Sequence, residues 1–388
     1  MRDPDLPEDG LFVGRVWRPD TAGPSIVVVR DGEIVDITAR AAPTMRDLLE
    51  LDDPAGHVRQ AGGEALGSLA DIAASSRAAA APGADPHAHL HLLAPCDLQA
   101  VKACGVTFAR SMVERVIEER AAGDPKRALE LRERIGALIG EKLSDIVPGS
   151  DNAMAVKAAL QGEGLWSQYL EVGIGPDAEV FSKAPPMSAV GWGADIGLHP
   201  ISNWNNPEPE VVLAVNSSGR ITGVTLGNDV NLRDVEGRSA LLLGKAKDNN
   251  ASAAVGPFIR LLDDTYTLND VRGAELTLRV EGEDGFVLDG SSSMSEISRD
   301  PKDLVAQTIG RHHQYPDGFV LYLGTLFAPT QDRDVAGEGF THKTGDVVTI
   351  AASGLGALTN TVRLSTECPP WTFGTAALMR NLAARNLI

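Results

Sequence analysis

The sequence predicts an α+β fold dominated by β-structure. A small N-terminal α/β domain spans residues 1–88, and a β-rich mixed domain spans 89–388 with a helical excursion at about 111–165. Three observations predict it. Apolar, β-branched runs separated by glycine turns fill the chain from residue 169 onward. The clearest helical periodicity lies between residues 111 and 165, and AAAAPGADP (78–86) reads as a linker. A chain of 388 residues is long enough to bury a large core in two domains.

The elements follow in order. Residues 11–38 read as short strands broken by PDTAGP and by RDGE, the latter a hairpin signal. APTMRDLLEL suggests a helix capped by Thr44, and AGGEALGSLADIAASS a second helix. After a strand at GVTFAR (105–110), the stretch SMVERVIEERAAGDPKRALELRERIGALIGEKL predicts two amphipathic helices with a break at GDP. A third helix is expected around DNAMAVKAALQGEG. Helices inserted between strands either cover a site as a lid or pack on a sheet edge, and both readings stand. Beyond them, YLEVGIG, EVFSKAP, EVVLAV, ITGVTLGND, ELTLRVEG, FVLDG, GFVLYLGTLF and DVVTIAA read as strands.

Composition narrows the function classes. A net charge of −18 argues against nucleic acid and anionic membrane surfaces as partners. No run approaches a membrane span, and MRDPDLPEDG lacks the basic-then-apolar pattern of a secretory signal. Three cysteines, odd in number and without metal-ligand spacing, suggest a reduced, cytoplasmic setting. His87, His89 and His91 alternate at the spacing of zinc ligands on one face of a strand. With no Cys or acid at ligand spacing, a partly exposed strand is the better reading. LLLGKAKD and GLGAL each lack residues that a phosphate or dinucleotide loop needs.

The most informative segment is NWNNPEPEVVLAVNSSGRITGVTLGNDVNLRD. Glu208 and Glu210 sit at i and i+2 of a predicted strand and so leave the same face. SSGR reads as a turn, and ITGVTLGNDV returns to bring Asp229 level with them. Three converging carboxylates in a partly dry site need a cation between them, and all-oxygen ligation suits magnesium, then manganese or calcium. An exposed hairpin with solvated acids has the same spacing, so the pattern alone leaves both readings open.

The continuation LRDVEGRSALLLGKAKDNNASAAVGPF resembles the core signature of the fumarylacetoacetate hydrolase family through Glu208, Glu210, Asp229, Arg233, Asp234, Lys247, Gly256 and Pro257. GVTFAR, FSKAPPMSAVGWG (181–193), LGT (323–325) and KTGDVVTIAASGLGALTNTV (343–362) resemble flanking family elements, in order, from about residue 90 to 388. The resemblance implies a rolled mixed β-sheet with a helical lid, a homo-oligomer, and a 2-keto acid chelated to a divalent ion held by Glu208, Glu210 and Asp229. Within the family the chain looks most like the 2-keto-3-deoxy-D-pentonate (2-keto-3-deoxy-D-xylonate) dehydratases.

The resemblance also places Lys247 beside the metal, where nearby cations would favour a neutral amine acting as base. Lys183 and Thr325 are carried over as substrate contacts, and Arg299 in SMSEISRDP reads either as a contact to substrate hydroxyls or carboxylate or as an ordinary surface arginine. Hydrolase members place a histidine and a glutamate after the GVTF-like strand to activate water. Here Ser111 holds the histidine position and Glu114 the glutamate position, although S-x-x-E is also a helix capping box. A serine without a base cannot deprotonate water, so dehydration is expected rather than C–C hydrolysis, with Glu114 as proton donor. Acylpyruvate-type hydrolysis, oxaloacetate decarboxylation and non-catalytic, metal-stabilised sugar-acid binding are the alternatives.

Overall fold

The apolar β-branched runs do form strands, and their order in the sheets decides where the carboxylates lie. The structure is a computed structural model, which describes residues 1–108, 130–131, 133–134, 146–325, 331–334 and 339–388. Its N-terminal strands are β1 (Phe12–Arg18), β2 (Gly23–Arg30), β3 (Glu33–Asp36), β4 (Glu64–Ser68), β5 (His91–Leu93) and β6 (Ala100–Gly105). The central ones are β7 (Glu179–Ala184), β8 (Asp195–Leu198), β9 (Asn205–Asn206), β10 (Pro209–Val215), β11 (Ile221–Asp229) and β12 (Asn231–Leu232). They are followed by β13 (Ala253–Leu261), β14 (Glu275–Glu281), β15 (Val287–Ser293), β16 (Phe319–Tyr322), β17 (Val347–Ala352) and β18 (Gly356–Leu364).

Among the described residues an eleven-stranded sheet runs β4-β3-β2-β1-β13-β11-β10-β16-β6-β7, with β5 on β1. A five-stranded sheet runs β15-β14-β17-β18-β8, and β9 pairs with β12 alone. The β16–β6 and β18–β8 pairs are parallel, the others antiparallel, so both sheets are mixed. One core cluster takes Phe12, Leu213, Leu226 and Phe258 from the large sheet and Leu278, Ile350 and Leu358 from the small one. The opposite face of β1 and β2 packs Val13, Ile26 and Val28 under the helices Met45–Glu50 and Pro54–Gln60. The segment 1–88 thus contributes β1–β4 to the large sheet through the β1–β13 pair.

Several local expectations change. AGGEALGSLADIAASS was expected to be helical throughout, but its first half is β4, paired with β3, and only Leu69–Ala79 is helix, capped by Ser68. Pro54–Gln60 is an additional helix, signalled by Asp53 as N-cap and Pro54 in the first turn. YLEVGIG, expected as a strand, lies in the helix Gln168–Ile174, because Ser167 caps it and Leu170 and Ile174, four apart, bury one stripe. The strand expected at GVTFAR ends at Gly105. His87 belongs to a 3₁₀ turn and stacks on Trp17 at 4.3 Å, so the three histidines do not share a strand. Of the helical excursion, Asp151–Gly162 is a helix packed with Gln168–Ile174, whereas residues 111–129 lie outside the described residues.

Gly227 stands opposite Glu210 in the β10–β11 register. A Cβ there would lie 2.4 Å from the Tyr322 ring and 2.5 Å from Val212, neither able to withdraw from the sheet. Gly227→Ala should therefore destabilise the protein by about 1–3 kcal/mol, measured by urea unfolding. A loss below about 0.5 kcal/mol would show that this contact relaxes freely.

Candidate metal centre

Strand register assembles the three carboxylates. The Asp229 amide donates to the Glu208 carbonyl at 3.0 Å, and Glu210 pairs with Gly227. Alternation then sends Glu208, Glu210 and Asp229 to one face at the open end of the hairpin. Their carboxylate oxygens fall within 4.8 Å of one another. The residues are 5%, 2% and 1% exposed, which excludes the solvated-hairpin reading.

Two buried lysines answer this charge. Lys247, at the end of the helix Leu243–Lys247, donates from Nζ to Glu208 Oε2 at 2.5 Å and Asp229 Oδ2 at 3.0 Å. Lys183 of β7 puts Nζ 2.8 Å from Asp229 Oδ1, an ion pair lacking hydrogen-bond alignment, since that oxygen accepts no well-directed bond. It also donates to the Val230 carbonyl at 3.1 Å and the Lys247 carbonyl at 2.5 Å.

The charges do not balance. Burial and then repulsion from Asp229 and Glu208 push the Glu210 carboxyl well above its ordinary value of 4.5. The Gly324 amide at 2.6 Å is its hydrogen-bond donor, and no ammonium or guanidinium among the described residues ion-pairs with it. Burial would raise the Asp229 carboxyl, but Lys183 and Lys247 together hold it below the usual range. Burial lowers Lys247, yet Asp229, Glu208 and Glu236 more than offset it and hold the ammonium. The neutral amine expected at Lys247 is thus opposed by its own carboxylate partners. Glu179 and Glu236 also line the pocket, setting five carboxylates against two ammoniums. An all-carboxylate donor set with surplus negative charge fits a hard divalent cation such as magnesium.

The pocket is lined by Cys104, Phe181, Glu236, Lys247 and Thr325 around the three carboxylates. Thr325 is where a substrate contact was expected. Lys183, fully buried, stands behind Asp229 and is not part of the lining, so it supports a ligand rather than facing substrate. Arg299 is also absent from the lining: its Nη2 donates to the carbonyls of Val172, Gly175 and Asp177, which pins the end of the helix Gln168–Ile174. Ser111 and Glu114 lie outside the described residues. Arg233 stacks on Trp204 at 4.9 Å, and Asp234 accepts from Ser202 Oγ at 2.7 Å and the Asn203 amide at 2.8 Å, so both fasten the loop before Glu208.

Asn231 and Glu236 were not singled out from sequence. Asn231 Nδ2 donates to Glu208 Oε1 at 3.1 Å and Glu236 Oε2 at 2.6 Å. Its place two residues after Asp229, next to the third carboxylate in the chain, was the available signal.

Residues 174–363 match the model of the fumarylacetoacetate (FAA) hydrolase C-terminal family. The chain is 32% identical over 194 residues to a probable 2-keto-3-deoxyxylonate dehydratase of Haloferax volcanii, a match covering 50% of this chain and 63% of that protein. It is 31% identical over 185 residues to a 2-dehydro-3-deoxy-D-arabinonate dehydratase of Saccharolobus solfataricus, covering 48% and 58%. The chain therefore matches less than two thirds of either relative's length. Among solved structures, 2-keto-3-deoxy-D-arabinonate dehydratase in its apo form superposes with a TM-score of 0.63 at 21% identity, covering 91% of this chain and 99% of that one. The same enzyme complexed with magnesium and 2,5-dioxopentanoate gives 0.62 at 20% identity, with the same coverage. At these identities the likeness establishes the fold.

The raised Glu210 carboxyl has a signed consequence. The unfolded chain releases that proton near 4.5 and the folded chain only at higher pH, so metal-free stability should fall as pH rises above 4.5. Glu210→Gln removes this penalty. In chelator at neutral pH its Tm should exceed the parent's, with the gap closing as pH falls toward 4.5. Added magnesium should raise the parent's Tm and leave the variant's nearly unchanged. A parent at least as stable as Glu210→Gln at neutral pH without metal would overturn the charge argument.

Proposed function

We propose that this protein is a divalent-metal-dependent dehydratase converting a 2-keto-3-deoxy-D-pentonate, 2-keto-3-deoxy-D-xylonate, into 2,5-dioxopentanoate during oxidative pentose breakdown. The buried Glu208, Glu210 and Asp229 cluster with Lys247 at its edge carries this reading. The names of the two curated relatives, and the ligands of the solved structure sharing the fold, support the substrate. Magnesium is the proposed ion, with manganese or calcium as substitutes. Cytoplasmic placement, consistent with three free cysteines, and a homo-oligomeric state belong to the same proposal.

Glu208, Glu210 and Asp229 would hold the cation, which when bound supplies Lewis-acid polarisation of a 2-keto acid. This chain's own residues then handle the protons. Lys247 Nζ is at the pocket wall, 5.7 Å from the Phe181 ring centre, and is the group proposed to exchange a proton with C3. Lys183 is spent on Asp229 and two carbonyls and stays out of that exchange. Glu114 is the proposed donor to the departing C4 hydroxyl. Loss of C3–H and C4–OH removes one water, and tautomerisation through C5 gives the aldehyde of the product.

Mass spectrometry of the products formed from 2-keto-3-deoxy-D-xylonate with magnesium should show loss of one water, abolished by chelator and by Glu208→Ala or Asp229→Ala. Two carbon fragments would indicate C–C hydrolysis, carbon dioxide a decarboxylase, and binding without turnover a non-catalytic role. Lys247→Met should lower kcat by about 10²–10⁴-fold and abolish solvent deuterium exchange at C3. Exchange at the parent rate would remove Lys247 from that step.

A further inference from the structure

One side chain joins the inner carboxylates to the outer wall of the pocket. Asn231 of β12 is 1% exposed, and its Nδ2 donates to both Glu208 Oε1 and Glu236 Oε2. One amide nitrogen carries two protons, so it can serve one carboxylate with each. The register puts it there: Asn231 pairs with Asn206, closing the hairpin's open end immediately outside Glu208 and Asp229. Glu236 comes from the short helix that follows and lines the pocket. Glu208 Oε2 meanwhile accepts from Lys247 Nζ. The two oxygens of Glu208 are therefore divided, one fixed by a neutral amide and the other turned to the ion-paired centre.

We propose that Asn231 is a positioning residue for the metal centre, holding Glu208 in the orientation that presents Oε2 to the centre while seating Glu236 on the pocket wall. The inference rests on the reading of Glu208, Glu210 and Asp229 as a cation site. The position demands a donor rather than a shape. An apolar group would leave two carboxylate oxygens without their partner, and a carboxylate would add a third like charge beside Glu208 and Glu236. Among the described residues Asn231 Oδ1 has no hydrogen-bond partner of its own, so its two bonds to carboxylates are the visible reason for an amide here. Partners that orient metal-binding carboxylates are worth about 10–100-fold in metal affinity.

The test is Mn²⁺ affinity of the full chain, read by electron paramagnetic resonance of the unbound ion, with Tm in chelator measured in parallel. Asn231→Leu keeps the shape without the donor, Asn231→Ala removes both, and Asn231→Ser retains one hydroxyl donor. Leu and Ala should weaken Mn²⁺ binding about 10–100-fold, with Ser between them and the parent. Should Asn231→Leu fail to fold, Asn231→Ala carries the comparison. A lower Tm in chelator with parent-like Mn²⁺ affinity in Asn231→Ala would mark a purely structural residue and overturn the inference. Glu210→Gln separates the two readings. If it binds Mn²⁺ like the parent, the cation site itself fails and the inference with it. If it loses Mn²⁺ while Asn231→Ala does not, only the inference fails.

Discussion

Mutual repulsion among three buried carboxylates is the constraint on which the rest of the site depends. Glu208, Glu210 and Asp229 place oxygens within 4.8 Å of one another, out of contact with bulk water. Low local polarity magnifies such repulsion, and each group responds according to the positive charge it can reach. Asp229, between two ammoniums, stays ionised, whereas Glu210, with none ion-paired to it among the described residues, is driven toward its protonated form. A chain of net charge −18 repels anions at long range, so any anionic molecule bound here would need local positive charge to hold it.

The fold is arranged to hold that repulsion in place. The β10–β11 register sets Glu208 level with Asp229, and Gly227 opposite Glu210 leaves room for the Tyr322 ring, whose hydroxyl donates to the Ala254 carbonyl at 2.6 Å. The β9–β12 ladder closes the hairpin's open end, and Asp234 and Arg233 tie the preceding loop to it. Strands of the large sheet on both sides of the hairpin keep it from splaying, since β13 pairs with β11 and β16 with β10.

The hairpin was legible in the sequence because β-branched alternation and a Ser-Gly turn specify both strands and their register, and register determines which acids meet. Much around it was less legible. YLEVGIG has strand-forming residues, but its helix depends on the Ser167 cap and on partners from the helix Asp151–Gly162. Nothing local tells that Lys183 points behind Asp229 or that Arg299 spends its guanidinium on three carbonyls, because both outcomes are tertiary. Lys247 was found through the family resemblance, yet its charge state depends on Asp229, Glu208 and Glu236 approaching it in three dimensions. Asn231 was overlooked because an amide has no titration to attract notice, although it stands only two residues after Asp229.

The two lysines show how similar side chains acquire different tasks from placement alone. Lys183 projects from the penultimate position of β7, is fully buried, and spends its ammonium on Asp229 and two carbonyls. It is not among the residues lining the pocket, and its positive charge keeps Asp229 ionised. Lys247 ends a short helix at the pocket wall, and its Nζ contacts are to carboxylates, Glu208 and Asp229. Carboxylate partners can be shared with a cation, whereas carbonyl partners hold an ammonium whatever else binds. Under the proposed reading, proton exchange with a bound molecule falls to Lys247 rather than Lys183, and that difference follows from which element carries each residue.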